Sequence, residues 1–352
     1  MTIFLNSLET ANPPHLLPQD LVERNARRIL GSRYAAFERM ASTFKTSGVE
    51  QRYSFAPIDW FEHDNDWQTR NELYVEGATS IFKQVATRAL ASAGLVARDI
   101  DIVVTVSTSG IATPTLEARV FSEMGFRNDI MRVPLFGLGC AGGVSGLSIA
   151  ERLVRSSPGT NVLMVVVEAC TLSFRSDRLE KADIISTVLF GDGAAAACIS
   201  SKPNTQSSAE IVLGAGSQHL WPDTLDIMAW NVDPVGLGVV LDKSVPAFVR
   251  EHMKEVRDIA LKAAGMKENE LSRHVFHPGG AKVAQAVEEA LGLQTGTLDA
   301  ERHVLKNYGN MSAPTVLFVL KEVLKRKLTG KMLMGALGPG FTASFMPIEI
   351  AA

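Results

Sequence analysis

The chain is poor in the residues that usually announce a metal site or a disulfide frame. It has three cysteines and seven histidines in 352 residues, and none of them stand at zinc-site spacing. An odd set of thiols with no paired spacing gives no disulfide framework and points to a reducing compartment, so the cytoplasm is the expected address. No apolar run reaches the length of a membrane span, which argues against stable insertion in a bilayer. The opening Met1-Thr-Ile-Phe-Leu-Asn-Ser has neither a basic n-region nor the long apolar stretch of a secretory signal. Charge of one sign is not in excess: 21% of residues are charged and the net charge is −3, which removes the electrostatic case for nucleic acid or an anionic membrane. Low-complexity tracts are absent. What remains is ordinary globular composition, 46% hydrophobic, long enough for one large core or two fused ones.

Cys140 stands out against that background. It lies in Leu135-Phe-Gly-Leu-Gly-Cys-Ala-Gly-Gly-Val-Ser-Gly-Leu147, just before a helical pattern that begins Ser148-Ile-Ala-Glu-Arg-Leu-Val154. A cysteine at the first turn of a helix feels the positive end of the macrodipole and the unpaired N–H groups there. Both favour thiolate, which is the nucleophile. The surrounding glycines are expected to let a substrate approach the backbone. The alternative is a buried small hydrophobe at a tight helix start, and that is the reading for Cys170 and Cys198, which sit in apolar strand-like runs.

The chain also repeats itself. Ala89-Leu-Ala-Ser-Ala-Gly-Leu95 leads to the strand Ile102-Val-Val-Thr-Val106, and Ala260-Leu-Lys-Ala-Ala-Gly-Met266 leads to His274-Val-Phe-His277, without a gap at an offset of 171. Gly139-Cys140 opens one helix and Gly309-Asn310 another, and Phe190-Gly-Asp-Gly193 resembles Leu337-Gly-Pro-Gly340. Strands such as Val162-Leu-Met-Val-Val-Val167 are apolar throughout, as strands covered on both faces should be. Their alternation with helices predicts an α/β fold of two similar halves, residues 1–205 and 206–352, joined near the polar Ser200–Ser208. If the halves pack about a pseudo-twofold axis, Cys140 and Asn310 face each other across it. His277 then closes a strand at its C-terminal end, where open α/β sheets present their sites.

These three residues suit one chemistry. An imidazole beside a thiol makes a thiolate–imidazolium pair and so activates the nucleophile. Asn310, in Asn307-Tyr-Gly-Asn-Met-Ser-Ala-Pro-Thr-Val316, reads either as a plain helix N-cap or as a neutral donor to an oxyanion. A lone strand-end histidine is commonly structural, and only its convergence with Cys140 and Asn310 argues otherwise.

At this point the chain resembles the type III polyketide synthases, the chalcone-synthase-like branch of the thiolase superfamily. The likeness runs through Gly139-Cys140, His277-Pro-Gly-Gly280, Tyr308-Gly-Asn310-Met-Ser312, Phe190-Gly-Asp-Gly193 and Gly338-Pro-Gly340, in order along nearly the whole chain. The resemblance implies a duplicated five-layer αβαβα fold and a homodimer. It implies that Cys140 takes the starter acyl group from CoA, and that His277 and Asn310 hold the malonyl-CoA thioester and stabilise the enolate left by decarboxylation. Phe190 would be the gatekeeper of the cavity. Ser173, Ser312, Val239, Thr113, Leu337, Gly338, Pro339 and Gly340 fall where the family binds substrate. The substrates would be acyl-CoA and malonyl-CoA, with no metal or redox cofactor. Lys45 and Arg52, with Arg39, lie in the N-terminal stretch that meets the CoA phosphates in the family, or else are solvated surface charge.

Departures from the chalcone-synthase pattern bear on the substrate. Val239 and Leu337 stand where that enzyme has phenylalanines, and Thr113 where it has methionine. Lost bulk enlarges the pocket and removes the stacking partner of a flat starter, so a medium- to long-chain aliphatic starter is expected, giving alkylpyrones or alkylresorcinols. Trp230 falls where chalcone synthase has glycine and is expected to narrow a different wall. Asp226-Ile-Met-Ala-Trp-Asn231 and Trp67-Gln-Thr-Arg-Asn-Glu-Leu-Tyr74 look more like bacterial members. Two alternatives stay open. A ketoacyl-ACP synthase III shares the fold and the Cys-His-Asn set, but carries His-Gln-Ala-Asn and Gly-Asn-Thr-Ser where this chain has His277-Pro-Gly-Gly280 and Gly309-Asn-Met-Ser312. The other is a non-catalytic acyl-CoA-binding homologue, against which the intact trio argues.

Overall fold

The computed structural model describes residues 1–31, 34, 37–178, 180–206 and 209–351; Ser207 and Ser208, at the end of the expected connector, lie outside the described residues. The strands are β1 (Ile3–Ala11), β2 (His15–Pro18), β3 (Gln51–Ser54), β4 (Ile102–Val106), β5 (Met131–Leu135), β6 (Asn161–Ala169), β7 (Asp192–Ser200), β8 (Glu210–Leu213), β9 (Ser217–Leu220), β10 (Met228–Asp233), β11 (Gly236–Leu241), β12 (Arg273–Phe276), β13 (Gly330–Gly338) and β14 (Thr342–Ala351). The helices are α1 (Gln19–Leu30), α2 (Phe37–Thr46), α3 (Trp67–Ala93), α4 (Leu116–Met124), α5 (Gly142–Ser156), α6 (Lys181–Leu189), α7 (Val245–Ala263), α8 (Ala281–Leu291), α9 (Asp299–Tyr308) and α10 (Thr315–Lys325).

The large sheet runs β12-β13-β14-β8-β1-β7-β6-β4-β5, with β9 beside β14. Its pairing repeats. In the first half β4 is parallel to β6, β6 antiparallel to β7 and β7 antiparallel to β1. In the second β12 is parallel to β13, β13 antiparallel to β14 and β14 antiparallel to β8. The halves meet where β1 pairs with β8, antiparallel. The offset of 171 read from the sequence therefore superimposes β4 on β12.

Side-chain alternation sorts the apolar strands into layers, because successive residues point to opposite faces. Ile102, Val104, Val106, Val162, Met164 and Val166 join a central core with Val144, Leu147 and Val154 of α5 and Val316, Leu320 and Val323 of α10. Val103, Leu163, Val165 and Val167 face the other way, onto Ala78, Phe82 and Val85 of α3. In the second half Met332 and Met334 belong to the central core, while Leu333 and Leu337 turn to α7 and α8. Helix, sheet, paired central helices, sheet, helix: this is the αβαβα stack that the resemblance implies. The alanine run of β7 keeps α3 close to the sheet. Asp66 caps α3 by accepting from the Thr69 amide, and Gly94, in the left-handed region, ends it.

Candidate active site

Cys140 occupies a 3-10 turn, Gly139–Ala141, that runs straight into α5. Backbone crowding sets this turn. A Cβ on Gly139, at φ 47°, would lie 2.6 Å from Pro339 Cδ, and one on Gly338 would lie 2.6 Å from Leu138 O. The Gly338-Pro-Gly340 turn between β13 and β14 is thus wedged against the turn that carries Cys140. A Cβ on Gly143 would lie 2.3 Å from Ala313 O, and one on Gly142 2.8 Å from Val106 Cγ1. Gly143 therefore serves the contact between α5 and the segment leading into α10, and Gly142 serves that contact together with the one to β4. Of the glycines around Cys140, only Gly139 borders the cavity described below. The expectation that they open the backbone to substrate is corrected to that extent.

His277 follows β12. Its amide donates to Gly335 O at 2.8 Å, which extends the parallel ladder by one residue, and Phe276 N donates to the buried Glu301 carboxylate at 3.0 Å. Pro278-Gly-Gly280 then turns the chain into α8. Neither ring nitrogen of His277 has a hydrogen-bond partner.

Asn310 does not cap a helix; α10 begins five residues later, at Thr315. The residue sits instead in a parallel bridge with Phe190. Its amide donates to Leu189 O at 2.8 Å, and Gly191 N donates to its carbonyl at 3.0 Å. Its Oδ1 accepts from Ser312 N at 2.8 Å, and its Nδ2 donates to Gly279 O at 3.1 Å. Ser312 itself lies at φ 57°. The side chain is therefore held in one orientation, with Nδ2 turned toward the strand-end loop that carries His277.

Burial dominates the electrostatics. It pushes the Cys140 thiol up to about 11, against hydrogen bonds with Ser312 and Asn310 that lower it. It pushes His277 down to about 3. Burial thus opposes the thiolate that the helix start favours, which leaves the imidazole as the second expected source of activation. A charge on either group by itself is disfavoured, whereas a proton passed between them would leave the site neutral, and attraction between the two ions would then oppose their desolvation. Glu168, pushed up to about 7 by burial, accepts from Thr108 N at 3.0 Å and Ser109 N at 2.9 Å beneath this site.

Cys140, His277 and Asn310 line one cavity of about 440 Å³. Phe190, Val239, Ser312, Leu337 and Pro339 share its wall, together with Ile185, Met228, Trp230 and Met253. Other expected residues lie elsewhere. Thr113 is on an exposed loop, outside the cavity of its own chain. Gly338 and Gly340 shape the turn behind Pro339 without lining the cavity. Ser173 lines a smaller apolar pocket of about 50 Å³, which shares Cys170 and Phe190 with the main cavity. Cys170, read as a plain buried thiol, is thus a wall of both.

The basic residues are also redistributed. Lys45 and Arg39 are exposed and do not line the cavity, although Thr46 and Ser47 do. Arg52 is 2% exposed, and its guanidinium donates to Thr187 O, Val188 O and Phe190 O. It is committed to the end of α6 and not available to a phosphate. The exposed lysines at the cavity are Lys181 of α6, Lys243 in the loop between β11 and α7, and Lys282 of α8. Two of them were within reach of sequence reasoning: Lys243 belongs to the segment that carries Val239, and Lys282 follows His277-Pro-Gly-Gly280. Among the described residues no group of three or more His, Cys, Asp or Glu side chains is placed to hold a metal ion, and no helix is long and apolar enough to cross a membrane.

Residues 4–203 match the family described as chalcone and stilbene synthases, N-terminal domain, and residues 212–348 match its C-terminal domain. The chain is 34% identical over 347 residues to a 1,3,6,8-tetrahydroxynaphthalene synthase of Streptomyces peucetius subsp. caesius, covering 97% of this chain and 91% of that one. It is 29% identical over 356 residues to type III polyketide synthase A of Arabidopsis thaliana, covering 96% and 90%. Among solved structures, the 1,3,6,8-tetrahydroxynaphthalene synthase of Streptomyces coelicolor A3(2), a bacterial type III polyketide synthase, superposes with a TM-score of 0.93 at 26% identity over 99% of both chains. With these matches along its whole length, a thiolase-type fold and a cysteine, a histidine and an asparagine on one cavity, the chain belongs to the chalcone and stilbene synthase family and is a type III polyketide synthase, an acyltransferase that condenses with malonyl-CoA.

Proposed function

We propose that this enzyme is primed by a medium- to long-chain aliphatic acyl-CoA, extends it with malonyl-CoA, and releases an alkylpyrone or alkylresorcinol. The observation that carries this reading is the cavity beside Cys140, whose lining includes the apolar side chains of Ile185, Met228, Val239, Leu241, Met253 and Val287. An alkyl chain is stabilised there by burial alone, at about 0.8 kcal/mol per methylene.

In this reading Cys140 gives its proton to His277 and its sulfur attacks the acyl-CoA carbonyl. The tetrahedral oxyanion collapses, the C–S bond to CoA breaks, and the CoA thiolate takes the proton from His277. Malonyl-CoA then loses CO₂, and the electron pair of that bond becomes an enolate whose oxygen faces His277 and Asn310 Nδ2. Two donors fixed in a water-poor pocket lower that barrier. The enolate carbon attacks the Cys140 thioester, the sulfur leaves, and the lengthened chain departs on CoA. Loss of CO₂ drives the carbon–carbon bond, so the chemistry asks for no metal or redox group. Lys181, Lys243 and Lys282 provide charge for the CoA phosphates at the mouth. We further propose a homodimer with Thr113 beside the partner's cavity; a stable monomer in sedimentation at micromolar concentration would contradict it.

A second reading rests on the relatives named for 1,3,6,8-tetrahydroxynaphthalene. Oxygen on alternate carbons of that product is the pattern of malonyl units joined to one another, with no alkyl starter. Product mass spectrometry separates the two. Incubation with malonyl-CoA and a panel of acyl-CoA starters should give alkylated products whose yield rises with chain length. A naphthalene product from malonyl-CoA alone, unchanged by added acyl-CoA, would favour the second reading and sink the first.

A further inference from the structure

Arg52 is one of the two fully buried arginines among the described residues, and the hydrogen bonds of its two terminal guanidinium nitrogens go to neutral oxygens rather than to a carboxylate, while Nε has no partner. It donates to Thr187 O at 2.6 Å, Val188 O at 2.7 Å, Phe190 O at 2.9 Å and the Gln19 side-chain oxygen. These carbonyls end α6, where no amide four residues on is left to satisfy them, and a cation there also complements the helix dipole. Gln19 reinforces the arrangement by donating to Val188 O at 3.0 Å.

The same stretch of chain brackets Asn310. Leu189 O accepts the Asn310 amide, Gly191 N donates to the Asn310 carbonyl, and Phe190 between them forms the cavity wall. The stem of Arg52 lies under this crossing. A Cβ on Gly191 would sit 3.1 Å from Arg52 Cβ and 2.3 Å from Tyr308 O, and a Cβ on Gly309 would sit 3.5 Å from Arg52 Cβ. One buried side chain thus touches both strands of the bridge and fixes the helix end from which one of them emerges.

We propose that Arg52 is the positioning residue that sets Asn310 and Phe190 together: it holds the end of α6 in the register that aims the Asn310 amide at the malonyl thioester oxygen. Arg52 touches no substrate. Its effect passes through Asn310, so the inference rests on the reading of Asn310 as the oxyanion donor. Misplacement of such a donor by a fraction of an ångström impairs decarboxylation, which relies on Asn310, while the first acylation of Cys140 depends on it less.

The test uses the full-length enzyme with Arg52→Met, Arg52→Lys, Asn310→Ala and, as a measure of lost stability alone, Arg257→Met at the other fully buried arginine. Two half-reactions are followed separately: CO₂ release from malonyl-CoA, and acylation of Cys140 by intact-protein mass. Arg52→Met should lower kcat for CO₂ release by about 10- to 100-fold. Its KM for malonyl-CoA and the acylation rate should stay within about threefold of wild type. Arg52→Lys, whose ammonium still reaches some of the carbonyls, should fall between. If Arg52→Met does not fold, the same ratio of half-reactions in Arg52→Lys decides. Both half-reactions falling together, as in Arg257→Met, or wild-type CO₂ release in the Arg52 variants while Asn310→Ala is slow, overturns the proposal. Wild-type CO₂ release in Asn310→Ala instead removes the reading beneath it, and the proposal with it.

Discussion

Trp230 stands directly across the β10–β11 hairpin from Val239, on the same face, with its ring edge-on to Phe190 at 6.2 Å between centroids. The expectation that Trp230 narrows a different wall is therefore corrected. Aromatic bulk absent at Val239 has moved one strand over and still borders the cavity.

That arrangement makes the starter preference a matter of two neighbouring positions. Trp230→Ala should lengthen the accepted acyl chain and Val239→Phe should shorten it. Each methylene newly buried or excluded is worth about 0.8 kcal/mol, or about fourfold in kcat/KM. The measurement is kcat/KM across a series of saturated acyl-CoA starters. A chain-length optimum that stays put in both variants would mean that the alkyl tail runs elsewhere.

The mouth lysines give a prediction of a different kind. Lys243→Glu combined with Lys282→Glu should raise KM for acyl-CoA roughly tenfold and make it less sensitive to salt, because rim charges act on association. With malonyl-CoA held saturating, starters carried on N-acetylcysteamine, which has no phosphate, should be turned over as by wild type. Equal losses with both kinds of thioester would show that these lysines do not read the phosphates.

Much of this was legible in the sequence, for identifiable reasons. The repeat lay open because two halves built alike keep the same apolar strands and the same glycine turns, and β4 and β12 fall on the offset read from the residues alone. Cys140, His277 and Asn310 were found because that repeat draws distant segments to one place. Arg52 was misread because sequence shows a basic residue and not its burial: the three carbonyls it serves lie more than 130 positions away. Lys181 was missed because nothing local distinguishes it from a solvated helix start. The glycines of α5 read as making room for substrate, whereas Gly143 makes room for the other half of the molecule, Gly146 for β4 and β6, and Gly142 for both β4 and Ala313.

Those glycines carry their own prediction. A methyl group at position 143 would press on Ala313 O, a backbone atom at the pseudo-twofold contact, and on Val316 Cγ1. Gly143→Ala should therefore destabilise the fold by about 1–3 kcal/mol, the usual range for overpacking, despite the better helix propensity of alanine. Gly159→Ala is the control: a Cβ there meets nothing within 4 Å, although φ is 93° and some backbone strain is expected. Denaturant midpoints compare the two, and Gly143→Ala no less stable than wild type would mean that α5 and the segment before α10 can separate freely.

The final prediction concerns the proton proposed to pass from Cys140 to His277. Alone, the buried thiol ionises only toward about 11, so at neutral pH it would be almost wholly protonated and slow to react. With His277 as acceptor the proton can move without leaving a net charge, so thiolate should be present well below that value. Alkylation of Cys140 by iodoacetamide should then vary little with pH between about 6 and 8 in the wild type, where the pair as a whole neither gains nor loses a proton. In His277→Gln the acceptor is gone. Its alkylation should be slower at pH 7 and climb about tenfold per pH unit as pH rises toward the thiol's own ionisation, so the gap between the two proteins closes from the alkaline side. Parallel pH profiles, with the same slope in both proteins, would show that His277 does not hold the proton, and its role would then be confined to the enolate.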